Sequence, residues 1–381
     1  MGMRLSRSIV GKAEADAVAR VLIEDGYLGI GDEVHRFEEE LAAYLGVDPS
    51  RVVTVNSGTA ALHLALDAVA AQADIPPGTV GEVVVPSLTF VASFQAVTAA
   101  GLRPVPCDVL PETGTIDLAD AERRITPRTV AILPVDYASN PWRIDETYAF
   151  ARSKGLRVVE DAAHAFGCLH HGRKIGSFGD VVCFSFDGIK NITSGEGGCL
   201  IAFDEATAQL ASDARLLGVE NDAKQRFAGQ RSWDPDVHRQ GWRYHMSNIL
   251  AAIGRVQLKR LDGEFGPARR RLAALYRSLL ESVEGVAMLK TDPEDYIVPH
   301  IQPVRILGGR LRHVKDALAA AGIPTGVHYK PNHLLSRFSC GHPLPATEAL
   351  YGELVSLPLH PGLVEDDVRL VCKTLASALC S

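Results

Sequence analysis

Three short stretches of this 381-residue chain carry side chains suited to covalent chemistry on a carbonyl compound. FSFDGIKNITSGEGG (184–198) places Lys190 just after an apolar run, in a loop with Gly195, Gly197 and Gly198. A lysine shut into a confined site loses its proton readily and attacks a carbonyl carbon to form a Schiff base. Most single lysines, however, are solvated surface residues. LRVVEDAAHAFG (156–167) puts Glu160 and Asp161 at the end of an apolar strand. In an open α/β sheet, ligands sit beyond the carboxyl ends of the strands. An acid there can meet a ligand, and it can equally be a solvated or helix-capping carboxylate. Asn56-Ser57-Gly58-Thr59 stands between RVVTV and a helical stretch. A helix N-terminus offers free N–H groups and partial positive charge to an anion. Gly58 lets backbone come close, and Ser57 and Thr59 carry hydroxyls. An ordinary N-cap uses the same residue types.

Taken in chain order, an anion cradle, an acid and a lysine are the three parts that pyridoxal phosphate (PLP) needs. The lysine forms the Schiff base, a carboxylate keeps the pyridine nitrogen protonated so that the ring absorbs the electrons of a carbanion, and a helix end binds the phosphate. Phe90, in PSLTF at the end of EVVVP, offers a ring to stack on the cofactor; a plain core phenylalanine is the other reading.

These residues need a frame. RVVTV, EVVVP, RPVPCDV, TVAILPVDY and LRVVEDA are short apolar runs separated by helical stretches such as TAALHLALDAVAAQ, FVASFQAVTAAG and IDETYAFARSKG. Such alternation predicts an α/β protein with a mostly parallel central sheet flanked by helices. VVCFSF and GGCLIAF read as two further strands joined by the polar loop that carries Lys190. The stretch 220–241 is polar and aperiodic, and a loop of that length is usually functional or mobile. Helices are expected from about Ser247 to Glu284. We expect a large PLP-binding α/β domain over 1–262 and a smaller C-terminal α+β domain over 263–381.

Composition narrows the function. With 46% hydrophobic and 22% charged residues the chain suits a soluble globular protein. A net charge of −7 gives no general attraction to nucleic acid or anionic membrane. No run is long enough to span a bilayer, and the start lacks the apolar stretch of a signal peptide, so a cytoplasmic location is expected. The seven cysteines make no CxxC pair and are read as reduced, mostly buried and not catalytic. No metal site is expected.

The motifs together resemble the DegT/DnrJ/EryC1/StrS aminotransferases, fold-type-I PLP enzymes that act on nucleotide-linked keto-sugars and aminocyclitols. NSGTAALHLAL (56–66), VVVPSLTFVAS (83–93), VEDAAHAFG (159–167), FSFDGIKNITSGEGG (184–198), MSNILAAIGRVQLKRL (246–261), GVHYKPNH (326–333), LPATE (344–348) and SLPLHP (356–361) carry the resemblance over nearly the whole chain. It implies a Schiff base on Lys190, which also moves the proton between substrate and cofactor carbons. It implies Asp161 at the pyridine nitrogen, His164 near the ring's phenolic oxygen, Phe90 stacked on the ring, and Ser57, Gly58, Thr59 and Ser185 around the phosphate. Relatives bring an asparagine of a GxNxRM motif from the partner subunit to the phosphate. Here the run is GWRYHM, with Arg243 in the asparagine position and His245 in the arginine position. Arginine can grip a phosphate with a forked pair of donors, the cofactor's or the substrate's own.

The resemblance thus implies a homodimer with shared active sites, glutamate as amino donor, and a keto-sugar nucleotide as acceptor in amino-sugar biosynthesis. Aminocyclitols and keto-octulosonates are alternative acceptors within the family. Tyr27 and Gly31, in GYLGIGDEV, and His328 and Tyr329, in GVHYKPNH, are candidate substrate contacts; a simple turn and a structural role are the respective alternatives. Lys190 argues against the branch of the family that has histidine there and dehydrates sugars. With Asp161, it also argues against a regulatory protein that binds PLP without turnover. A nicotinamide enzyme would need GxGxxG after the first strand, and none is present.

Overall fold

The computed structural model describes residues 2–75, 78–220 and 236–380. Every apolar run named above forms a strand. They are β1 (Val52–Val55), β2 (Glu82–Pro86), β3 (Arg103–Cys107), β4 (Thr129–Ile132), β5 (Arg157–Asp161), β6 (Val181–Ser185) and β7 (Gly198–Ala202). They make one seven-stranded sheet in the order β1-β7-β6-β5-β4-β2-β3. Only β7 runs against its neighbours; the pairs from β6 across to β3 are all parallel.

Side chains of a strand alternate between its faces, and the sheet's two cores follow that alternation. Val53 and Val55, Val181 and Cys183, and Leu200 and Ala202 enter one core. Val52, Val182 and Phe184, and Cys199 and Ile201 enter the other. The first core is closed by the helices Gly58–Gln72, Val91–Ala99 and Glu205–Ala214. The helix Gly58–Gln72 buries residues around its whole circumference, from Ala60 to Val69. A helix apolar all round must be covered all round, and here it lies between the sheet and two other helices. The second core is closed by Asp32–Leu45 and Asn248–Arg260.

A buried ion pair ties the second layer to β1. Arg215 donates to the Glu38 carboxylate and, at 2.9 Å, to the Thr54 carbonyl. Glu38 also accepts from the Thr54 amide at 2.9 Å and the Thr54 hydroxyl at 2.8 Å. Such a pair needs further hydrogen bonds to offset its burial, and these bonds supply several of them on the strand that leads into Asn56-Ser57-Gly58-Thr59.

The C-terminal part has a core of its own. The strands β8 (Val286–Met288), β9 (Gln302–Ile306) and β10 (Leu354–Leu357) form an antiparallel sheet in that order. The helices Gly266–Leu280, Leu311–Ala320 and Glu365–Cys380 pack on it through Leu272, Tyr276, Val314, Val371 and Leu375. Most of the expected loop at 220–241 lies outside the described residues. All seven cysteines are free; Cys107, Cys168, Cys183, Cys199 and Cys372 are buried.

Candidate active site

The carboxyl ends of β1, β5 and β6 open on one cavity of about 430 Å³. Its floor is the start of the helix Gly58–Gln72. Ser57 caps that helix, its Oγ accepting from the Ala60 amide at 3.1 Å. The amides of Gly58 and Thr59 have no protein acceptor among the described residues, so they are left for a ligand. Gly58 owes its identity first to packing. A Cβ there would lie 2.7 Å from the Ser185 Cβ and 3.2 Å from its Cα. Beside Ser185, a Cβ on its register partner Gly198 would lie 2.7 Å from the Gly58 nitrogen. Two glycines thus let the helix start sit against the ends of β6 and β7.

Asp161 ends β5 and lines the cavity. Ser93 Oγ donates to its Oδ2 at 2.7 Å, and the Ala163 amide donates to Oδ1 at 3.2 Å. Thr89 Oγ1 lies 2.8 Å from Ser93 Oγ, so two hydroxyls in series orient the carboxylate. Burial raises the Asp161 pKa, while Ser93, the Ala163 amide and the charge on Lys190 oppose the rise. Its neighbour Glu160 points to the opposite face of the sheet. There it accepts from the Tyr148 hydroxyl and lies beside the carboxyl of Asp136. Burial pushes both of these acids up, away from the ionised form.

Lys190 stands in a loop fixed at both flanks. Its amide donates to the Asp187 carbonyl at 3.1 Å. Asn191, buried, donates to the carbonyls of His164, Phe166 and Val298 at 3.3, 3.0 and 2.9 Å. The lysine Nζ is 3.5 Å from His300 Nε2. Burial lowers its pKa to about 8, against the pull of Asp161 and Asp187. A free amine is therefore within reach near neutral pH. His164 and His300 lie 4.5 Å apart, ring centre to ring centre. Burial, and then Lys190, hold His164, His300 and His328 in the neutral form.

The far wall comes from the C-terminal part. Tyr329 places its hydroxyl 3.0 Å from His164 Nε2 and its ring 5.4 Å from that of Phe90. His328 holds Ser356 Oγ at 2.7 Å. Phe90 caps the helix Val91–Ala99 and stays 54% exposed, so it stands at the mouth and not in the core. The cavity therefore gathers Ser57, Gly58, Thr59, Phe90, Asp161, His164, Ser185, Lys190, His328 and Tyr329. It presents an anion cradle, a buried carboxylate and an amine together.

The DegT/DnrJ/EryC1/StrS aminotransferase family matches residues 8–376. A dTDP-4-dehydro-2,3,6-trideoxy-D-glucose 4-aminotransferase of Saccharopolyspora spinosa is 36% identical over 99% of this chain and 97% of its own. Among solved structures, the aminotransferase TlmJ from Streptoalloteichus hindustanus superposes with a TM-score of 0.91 at 31% identity, covering 100% of this chain and 99% of its own. A Streptococcus pneumoniae protein, solved in a PLP form, gives 0.88 at 26% identity over 99% and 98%.

The chain belongs to the DegT/DnrJ/EryC1/StrS aminotransferase family.

Three of this aminotransferase's expected site residues lie outside the cavity. Arg243 is exposed. Its segment pairs with the end of β1: the Asn56 amide donates to the Tyr244 carbonyl at 2.7 Å, and Val55 bridges to His245. Tyr27 and Gly31 flank a turn against the helix Asn248–Arg260, where Asn248 donates to the Tyr27 carbonyl at 2.9 Å. Gly31 is the N-cap of Asp32–Leu45. Conversely, Thr89, Asp187, Glu196 and His300 line the cavity, and Ser93 braces Asp161 from behind. None of these five was singled out from the sequence. His300 had a faint signal, a histidine between prolines just ahead of an apolar run, in VPHIQPV.

Proposed function

We propose that this aminotransferase uses PLP held on Lys190 to carry an amino group from glutamate to a keto-sugar, most naturally a nucleotide-linked keto-deoxysugar. The observation that carries this is the convergence of Lys190, Asp161 and the unbonded amides of Gly58 and Thr59 on one cavity. The residues fit the cofactor. An anion cradle, a braced carboxylate and an amine near its neutral form are all present, and the buried His164 Nδ1 has no partner among the described residues. The name of the Saccharopolyspora relative supports a nucleotide-linked sugar as acceptor.

When bound, PLP supplies an aldehyde to receive the amino group and a protonated ring to hold the electron pair released at carbon. The amides of Gly58 and Thr59, with the hydroxyls of Ser57, Thr59 and Ser185, bind its phosphate. Asp161, kept in one orientation by Ser93 and Ala163, holds the proton on the ring nitrogen. His164 would stand near the ring oxygen, and Phe90 would stack on the ring. Lys190, once free, takes the proton from the donor's α-carbon and returns it at the opposite carbon, within a single pocket. His328 and Tyr329 close the substrate side. A homodimer would bring Arg243 of one subunit to the other's phosphate region.

The test is a pair of half-reactions. Reconstituted protein with glutamate alone should yield one 2-oxoglutarate per site, and a dTDP-4-keto-deoxysugar should then gain labelled nitrogen. A protein that binds PLP yet releases no keto acid from any amino donor refutes the proposal.

A further inference from the structure

Arg269, in the first turns of the helix Gly266–Leu280, is a buried cation with no carboxylate among its described contacts. A charge taken out of water without a partner is costly and needs compensation. Four backbone carbonyls provide it. Nη1 donates to those of Pro299 and His300 at 3.3 and 3.1 Å, and Nη2 to those of Ile189 and Lys190, each at 3.4 Å. The two acceptor pairs are far apart in sequence. One is the lysine itself with its predecessor, and the other carries the imidazole that sits 3.5 Å from the lysine amine.

Resting on the reading of Lys190 as the reactive amine, we propose that Arg269 is a positioning residue. Its forked guanidinium cross-links the Lys190 loop to the Pro299–His300 segment and so keeps the amine against the His300 ring. Arginine suits this task better than lysine, because its planar fork reaches two carbonyl pairs at once. The charge adds a second effect. Burial lowers the Arg269 pKa to about 10, so the group remains a cation at neutral pH. That unneutralised cation disfavours the ammonium form of Lys190, in the same direction as burial.

Two measurements on the cofactor-free full chain test this, and neither reads turnover. The first follows labelling of Lys190 by an amine-reactive reagent against pH, with the exposed Lys12 as internal reference. The second follows hydrogen exchange in the Asp187–Ser194 and Val298–Ile301 segments. Wild type should reach half-labelling of Lys190 near pH 8. Arg269→Met should move that midpoint upward, so that Lys190 labels more slowly at fixed pH below it, and should speed exchange in both segments together. Arg269→Lys keeps the charge and loses the fork, so exchange should rise while the midpoint stays close to that of wild type. A folded Arg269→Met chain with unchanged labelling and exchange overturns the proposal. Should that variant not fold, unchanged exchange in Arg269→Lys overturns it instead. Wild-type Lys190 that labels like Lys12 would instead refute the reading of Lys190 as the reactive amine, whatever Arg269 does.

Discussion

Gly58→Ala isolates the geometry of the anion cradle. The added Cβ would meet the Ser185 Cβ at 2.7 Å and Oγ at 3.1 Å. Carbon atoms in contact prefer about 3.5–4.0 Å, so the overlap approaches an ångström, and part of it is against Ser185 backbone. Gly198, the register partner of Ser185, already packs against the Gly58 nitrogen and leaves little room for adjustment along the sheet. Overpacking of this kind costs about 1–3 kcal/mol. The helix start can relieve it only by leaving β6, and its two free amides leave with it. A loss of about 1.4 kcal/mol in phosphate binding then appears as a tenfold higher Kd for PLP. Thermal melting of the cofactor-free protein measures the first effect, and fluorescence titration with PLP measures the second. Ser185→Gly in the same chain removes the nearest two atoms and should restore part of the melting temperature. If Gly58→Ala melts and binds as wild type does, the contact between helix and strand is not the constraint described. A lowered melting temperature that Ser185→Gly leaves untouched would place the clash elsewhere.

Other outcomes follow from the same structure. Asp161→Asn should bind PLP and lose on the order of 100-fold in kcat, as removal of a single electrostatic contact to a reacting group does; a steady-state assay showing full kcat would remove Asp161 from the chemistry. The rate should rise with pH up to about 8, as Lys190 loses its proton, and a profile flat from about pH 6 to 9 would contradict the buried amine. Arg215→Met strands the buried Glu38 carboxylate and should cost about 3–5 kcal/mol in denaturant unfolding; a change below about 1 kcal/mol would mean the pair is not buried in solution. Arg243→Ala should weaken PLP binding, and mixing it with Lys190→Ala chains should return some activity through one complete shared site. No recovery in exchanged dimers argues against sharing.

Much of this site could be read locally because each part sits where a strand ends. The run VVED leads directly to Asp161, and FSF leads to the Lys190 loop. Apolar periodicity locates such ends, so the sheet and its order of chemistry were both legible. What escaped was held by packing between distant segments. Ser93 looks like an ordinary first-turn serine in LTFVAS; only the approach of that first turn to the end of β5 makes it the brace of Asp161. Arg269 reads as one of three consecutive arginines on a helix, and nothing in that run marks the one that turns inward. Gly58 was expected for the right position and a different first cause. Its small size answers Ser185 before it answers any anion. Arg243 and the Tyr27–Gly31 turn have no reason to enter the cavity within a single chain, where their backbones are engaged by Asn56, Leu216 and Asn248.

Glu160 and Asp161 are chain neighbours that inhabit separate compartments, with the strand itself as the partition. One lies in a sealed acidic niche beside Tyr148 and Asp136, where burial pushes both carboxyls up, while the other faces a ligand chamber. Which acid does which is decided by pairing alone, Val159–Asp161 against Val181–Cys183. A slip of one residue would exchange their assignments. It would send the longer carboxylate into the chamber and shut the shorter one away, without altering a single atom of the composition.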